Sequence, residues 1–195
     1  MIYTYLIAIL ISYICGSVPF GLLLSRIQGL EDIRSVGSRN IGATNAWRVG
    51  GKRLGILTFA LDVLKGVVAI VLVRVLHGHP MVLAVAGVAA VYGHVFPIWL
   101  DWKGGKGVAT SFGVLISVVP YLGFLFSIVW LLTFLVTRIA SIASLLAITV
   151  IVIASLFLLS TPYVLMVFAL FVVITLKHTE NIRRILSGEE KTFIF

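Results

Sequence analysis

The sequence predicts an all-α integral membrane protein with seven transmembrane helices, N-terminus outside and C-terminus cytoplasmic, in a single transmembrane domain over residues 1–195. Three observations lead there. Of 195 residues, 61% are hydrophobic and 11% charged, whereas a soluble domain runs at roughly 45–50% and about 25%. The apolar residues form seven runs separated by short polar segments. The basic residues gather at one set of run ends. Fifteen Lys and Arg against seven Asp and Glu give +8, which in a soluble protein would suggest nucleic acid; in a membrane chain it is a topology signal, and no nucleic-acid partner is expected.

A bilayer-crossing helix needs about 20 mostly apolar residues. The first run, residues 2–24, lacks the positively charged start of a cleavable signal peptide and reads as a retained helix. A polar segment, residues 25–53, follows with six basic residues and five glycines. Further runs cover residues 54–76, 81–99, 108–119, 121–136, 139–159 and 163–176, the fourth and fifth being short. The stretch 107–136 is either one long helix kinked at Pro120 or two helices meeting there. Lys103 and Lys106 precede it and Arg138 follows; the positive-inside rule places all three in the cytoplasm, which two crossings satisfy and one does not. The same rule puts thirteen of the fifteen cations at the cytoplasmic face, leaving Lys65 within a span and Arg74 near the other side. The lone cysteine, Cys15, excludes an internal disulfide or Cys-based zinc framework and reads as a small buried hydrophobe.

Polar chemistry is left with three places, all on the cytoplasmic face. In the first, residues 37–48, glycines permit sharp turns and expose N–H groups to an anion. Ser38, Asn40, Thr44 and Asn45 add neutral donors, and Arg48 adds a forked cation. A phosphate cradle and a loop touching lipid head groups both fit. The second, Asp101 to Ser111, holds Gly104, Gly105, Lys106 and Gly107 ahead of a helix. The GxxxxGK[ST] pattern is not met, which excludes a nucleotide-binding loop of that type; a Gly-rich turn into a helix N-terminus still suits an anion, with Lys106 as its counter-charge. The third, Lys177 to Arg184, places His178 and Asn181 three apart on one face, where histidine serves as acid, base or neutral hydrogen-bonding group; a basic juxtamembrane tail is the plainer alternative. Within the spans, Asp62 and Lys65 are three apart and read as a buried ion pair. No further carboxylate lies in the spans, which argues against an ion-coupled transporter.

These segments together carry a resemblance. Gly16-Ser17-Val18-Pro19-Phe20-Gly21, Gly37 to Asn45 with Arg48, Leu61-Asp62 with Lys65-Gly66, Gly93-His94 with Pro97, Lys103 to Thr110, and Lys177-His178 with Glu180-Asn181-Ile182 resemble, in order and over nearly the whole chain, the membrane acyl-phosphate:glycerol-3-phosphate acyltransferases (PlsY). The resemblance implies transfer of a fatty acyl group from acyl phosphate to the 1-hydroxyl of sn-glycerol 3-phosphate, giving lysophosphatidate and phosphate. That is the first acylation of bacterial phospholipid synthesis, at the cytoplasmic face of the inner membrane, by a monomer using no metal or cofactor. Carried over residue by residue, it implies a catalytic set of His178, Asn181, Lys106 and Arg48, with Ser38, Asn40, Thr44, Asn45, Ser141, Gly104 and Gly105 binding substrate. Many members have glycine where this chain has Arg39, which puts a tight turn there in question. The His-x4-Asp signature of the soluble-type acyltransferases is absent after all four histidines.

An acyl phosphate is already activated, so such an enzyme needs mainly to hold two phosphate-bearing substrates and stabilise developing charge. The runner-up reading is an organic-phosphate transporter, which predicts sites near mid-membrane; a third is a lipid-binding scaffold.

Overall fold

The computed structural model describes residues 2–193, which contain helices and no strands. Helices α1 (Ile2–Ser17) and α2 (Phe20–Ile27) are separated at Pro19. They are followed by α3 (Ala43–Leu76), α4 (Pro80–Val95), a 3-10 turn (Ile98–Leu100), α5 (Val108–Val118), α6 (Pro120–Thr137), α7 (Ala140–Leu158), α8 (Thr161–Lys177) and α9 (Thr179–Leu186). Each predicted apolar run is helical, but the first, expected as one helix over residues 2–24, is broken at Pro19 into α1 and α2. The stretch around Pro120 resolves into two, because proline lacks the N–H that would continue the α5 ladder. A methyl group on Gly123 would meet the Ile116 backbone at 2.7 Å, so α6 folds back against α5.

Length divides the helices. Five segments are long and apolar enough to cross a bilayer, and the α8–α9 pair, bent by 59°, makes a sixth if counted as one span. Helix α5, with 11 residues, reaches only about 16 Å at 1.5 Å per residue.

The helices alternate in direction. One end gathers the C-terminal parts of α1 and α4, joined by Tyr13 Oη to the Phe96 carbonyl at 2.7 Å and Trp99 Nε1 to Ser17 Oγ at 2.8 Å. The same end holds the N-termini of α3, α5 and α7 and the C-termini of α6 and α8, linked through the contacts described below. At the other end Arg74 donates to the Ser117 carbonyl at 2.6 Å. Helix α4 is the most buried span. Gly16 and Gly93 set α1 directly against it: a methyl group at either would strike the backbone of Ala90 or Tyr13, the close approach that small residues allow between helices in lipid. Large apolar side chains such as Leu131, Leu132, Phe157 and Leu165 face outward, as a lipid solvent requires.

The structure corrects the reading of residues 25–53 as one polar loop. Residues 43–50 are helical and run into the second span, with a break at Gly51 (φ 77°, ψ −178°), so Thr44, Asn45 and Arg48 sit on a helix. Trp47 folds against Gly55, which has no side chain to oppose it.

Candidate functional site

The first polar segment is built around Asn45. Its buried Nδ2 donates to the carbonyls of Ile33 (2.8 Å), Asn40 (2.9 Å) and Val36 (3.1 Å), and its Oδ1 accepts from the Ser38 N–H at 2.7 Å. Both of its amide hydrogens are therefore occupied. These bonds make Asn45 the clamp that shapes the loop. Asn40 is likewise committed: its Oδ1 accepts from the Gly42 N–H at 2.8 Å, an Asx turn at the entrance to α3. Gly37 (φ 67°) and Arg39 (φ 57°) both adopt left-handed backbone. The tight turn exists despite the arginine, whose side chain points outward, exposed. Ser38 is exposed and Thr44 half-buried, and neither side chain makes a hydrogen bond among the described residues.

The second segment runs from Gly104 into α5. The N–H groups of Gly104 and Gly105 donate to the carbonyls of Val95 and His94, both at 3.1 Å, and a methyl on Gly105 would overlap the His94 ring. The expected anion-binding role of these two amides is thus corrected: backbone partners already take them, and the glycines let the loop lie flat on His94. Gly107 (φ 84°) turns the chain into α5 without a side-chain cap, leaving that helix's first N–H groups unpartnered within it.

His94 belongs to a buried network beneath the loop. Lys65 Nζ lies 2.7 Å from Asp62 Oδ1, and His94 Nδ1 lies 3.6 Å from the same oxygen. Lys65 also donates to the Val18 carbonyl, at 2.8 Å, where Pro19 separates α1 from α2. The ion pair expected inside the bundle therefore ties three helices to the loop that carries Lys106.

Lys106, Asn181, His178 and Ser141 come together from the loop before α5, α9, the α8–α9 bend and α7. Lys106 Nζ donates to Asn181 Oδ1, and Asn181 Nδ2 donates to Glu190 Oε1 at 2.5 Å. Ser141 Oγ donates to the same oxygen at 2.7 Å, while Arg184 Nε donates to Glu190 Oε2 at 2.7 Å. Arg48, on the rim, reaches the Lys191 carbonyl at 3.4 Å. Glu190, in the polar tail, escaped the sequence reading, and Arg184 entered it only as the end of the third cluster. The only sequence signal was that carboxylates are scarce, seven in the chain.

Burial pushes the Lys106 ammonium down to about 8, Glu190 opposing the shift and Arg184 adding to it. Burial also drives the His178 imidazole down to about 4, reinforced by the Lys106 charge, so the ring is neutral at pH 7. The adjacent Lys177 ammonium is turned away and stands over the Phe96 ring at 4.7 Å. His178 Nδ1 lies 2.8 Å from the Ile174 carbonyl, which can only accept. The proton is therefore on Nδ1, and Nε2 is an acceptor. Burial alone would raise the Glu190 carboxyl, but the donors Ser141, Asn181 and Arg184 outweigh it and hold the group below its usual range.

A family model described as glycerol-3-phosphate acyltransferase matches residues 6–188. The chain belongs to the glycerol-3-phosphate acyltransferase family. An Agrobacterium fabrum relative of that name is 46% identical over 184 residues, 94% of this chain and 89% of its own length. Two crystal structures of PlsY (YgiH), described as an integral membrane glycerol 3-phosphate acyltransferase, are similar to it. The glycerol 3-phosphate form has a TM-score of 0.92 at 36% identity, covering 97% of this chain and 96% of that one. The lysophosphatidic acid form has a TM-score of 0.90 at 35% identity, covering 97% and 95%. The chain is thus an integral membrane glycerol-3-phosphate acyltransferase of the PlsY type. Glu190 lies just beyond the residues that the family model matches.

Proposed function

We propose that this acyltransferase uses acyl phosphate as donor and acylates the 1-hydroxyl of sn-glycerol 3-phosphate, giving lysophosphatidate and phosphate. It acts as a single seven-span domain over residues 1–195, N-terminus outside, at the cytoplasmic face of the bacterial inner membrane, as a monomer without cofactor or metal. The observation that carries this reading is the convergence of Lys106, Asn181, Ser141 and Arg184 on one acidic group, with Arg48 at the rim. Cations and neutral donors directed at one anion suit phosphate. Ser141 is hydrogen-bonded to the Glu190 carboxylate, but that group is held below its usual range and is a weak base, so direct transfer between bound substrates is favoured over an acyl-enzyme.

Glycerol 3-phosphate is held by Lys106, Asn181 and Ser141, with His178 Nε2 accepting from the 1-hydroxyl. The phosphate of the donor lies toward Arg48, Ser38 and Thr44. Gly104, Gly105, Asn40 and Asn45 support these groups through the backbone. An open apolar groove of about 670 Å³, lined by Ile9, Tyr13, Val88, Phe96, Leu165 and Met166 among others, suits the acyl chain. As the hydroxyl oxygen bonds to the carbonyl carbon and the phosphate leaves, the hydroxyl proton passes from its hydrogen bond with His178 Nε2 to a phosphate oxygen of the donor. Catalysis is then substrate-assisted, since His178 is too weak a base at about 4. Lys106, Arg138 and the α8 C-terminus share one end of the bundle, an arrangement that supports the one-sided topology.

Purified protein in detergent, given labelled glycerol 3-phosphate and palmitoyl phosphate, should release lysophosphatidate, with palmitoyl-CoA giving none. No product with acyl phosphates of several chain lengths would sink the reading and leave transport as the alternative. For the proton acceptor, His178→Asn should retain more activity than His178→Ala, and both should keep the wild-type alkaline limb. An acid limb near pH 4 in the wild type, with both variants reduced to background turnover, would instead make His178 the base.

A further inference from the structure

The Glu190 carboxylate sits where a substrate anion belongs. Its side chain is 10% exposed. One oxygen accepts from Ser141 and Asn181, the other from Arg184, so both poles of the carboxylate are gripped as two oxygens of a phosphate would be. The group arrives on a short tail, not on a helix of the bundle. Beyond α9, Gly188 turns in the left-handed region (φ 73°), and the N–H groups of Glu189 and Glu190 return to the Arg184 carbonyl at 2.7 and 3.1 Å. The tail's second anchor is Phe193. Its N–H donates to the Arg138 carbonyl at 2.7 Å, and its ring lies edge-on to Trp47 and Phe134 at 5.2 and 5.5 Å. Between and before the two anchors, residues 187–189 and 191–192 are exposed.

We propose that the C-terminal tail is a latch: the Glu190 carboxylate occupies the subsite formed by Ser141, Asn181 and Arg184, and the phosphate of glycerol 3-phosphate binds by displacing it. This rests on the proposed reading of that cluster as the glycerol 3-phosphate site. It assigns Arg184 as a phosphate contact and gives the tail a function in setting substrate affinity. A tethered carboxylate competes as an intramolecular ligand, and the apparent affinity of the external anion falls with the fraction of open sites. When the phosphate enters, Arg184, Ser141 and Asn181 exchange one anion for another and no buried cation is left unpaired. The released Glu190 gains water, so the exchange is close to balanced and reversible.

The latch predicts that breaking it improves substrate binding, the opposite of what loss of a structural contact would do. Glu190→Gln should lower the KM for glycerol 3-phosphate about fivefold or more, with kcat not reduced and the KM for palmitoyl phosphate unchanged. Phe193→Ala, which loosens the remote anchor and leaves every site residue in place, should shift the same KM in the same direction. In the wild-type protein, glycerol 3-phosphate should accelerate tryptic cleavage after Lys191, and millimolar inorganic phosphate should do so too. A KM that rises or stays constant in both variants, or cleavage that either anion slows or leaves unaltered, would overturn the latch. So would a fall in the palmitoyl phosphate KM alone, which would place Glu190 in the other subsite. A collapse of kcat in Glu190→Gln at unchanged KM would make Glu190 a proton acceptor instead. Should the wild type turn over no substrate at all, the acyl-phosphate reading fails, and the phosphate-dependent cleavage still tests the latch.

Discussion

Lys106→Met is expected to lower kcat/KM by about 10²–10³-fold, the usual result of removing one preorganised charge stabiliser, while leaving the protein folded. Lys106 is the cation nearest the centre of the cluster, held by Asn181 and backed by the close-packed Gly104–Gly105 turn. Its pH dependence gives a second readout. Burial lowers its pKa to about 8, so the ammonium is present below that value and lost above it. The kcat/KM of the wild type, which reports the free enzyme, should be level below about pH 8 and fall by about tenfold per pH unit above it. A bound phosphate favours the charged form, so kcat at saturating glycerol 3-phosphate should break at higher pH. Lys106→Arg keeps its charge across this range and should lose the alkaline limb even where its activity is reduced. An unchanged limb in Lys106→Arg would assign it to another group, and an activity loss below about tenfold in Lys106→Met would remove Lys106 from the substrate phosphate.

Asp62→Leu is expected to destabilise the protein by about 3–5 kcal/mol, because it leaves the Lys65 ammonium buried without its counter-charge. The two side chains are each 3% exposed, with Nζ and Oδ1 2.7 Å apart, and the remaining partner of Lys65 is the neutral Val18 carbonyl. The double variant Asp62→Leu, Lys65→Met removes both charges and should recover most of the loss, since well-packed apolar replacements of a buried pair are often close to neutral. Denaturant unfolding of the purified protein in micelles, run as a double-mutant cycle, measures both. A single-variant loss of about 1 kcal/mol or less would make the pair equivalent to an exposed one. The network lies under the Lys106 loop through His94, so Asp62→Leu should also raise the KM for glycerol 3-phosphate. The double variant should restore stability more fully than it restores KM, because His94 then has neither neighbour to hold its ring against Gly105.

By itself the sequence determined the helical class, the position of the apolar runs, the gathering of cations at one end and the family; the break at Pro19 that splits the first run it did not show. Each of these depends on properties that act locally or sum along the chain: apolar run length, proline as a break, and charge relative to run ends. The candidacy of Lys106, His178 and Asn181 was legible for a related reason, since histidine, asparagine and lysine are few in so apolar a chain and therefore conspicuous.

Tertiary structure decided what those residues touch. Asn45 looked like a ligand donor and is a loop clamp, because its three carbonyl partners lie 5, 9 and 12 residues away and only the folded loop brings them together. Gly104 and Gly105 looked like an anion cradle, and contact with His94 takes their N–H groups. Residues 43–50 looked like loop because their composition is polar, yet one face of that helix packs Trp47 on Gly55. Glu190 could not be placed at all: it is 49 residues from Ser141 in the chain, and a carboxylate in a polar tail has no local signature. A hydrogen bond depends on distances within a few tenths of an ångström, and between residues this remote in sequence that distance is set by how α5, α7 and α9 pack, not by the residues that flank either partner.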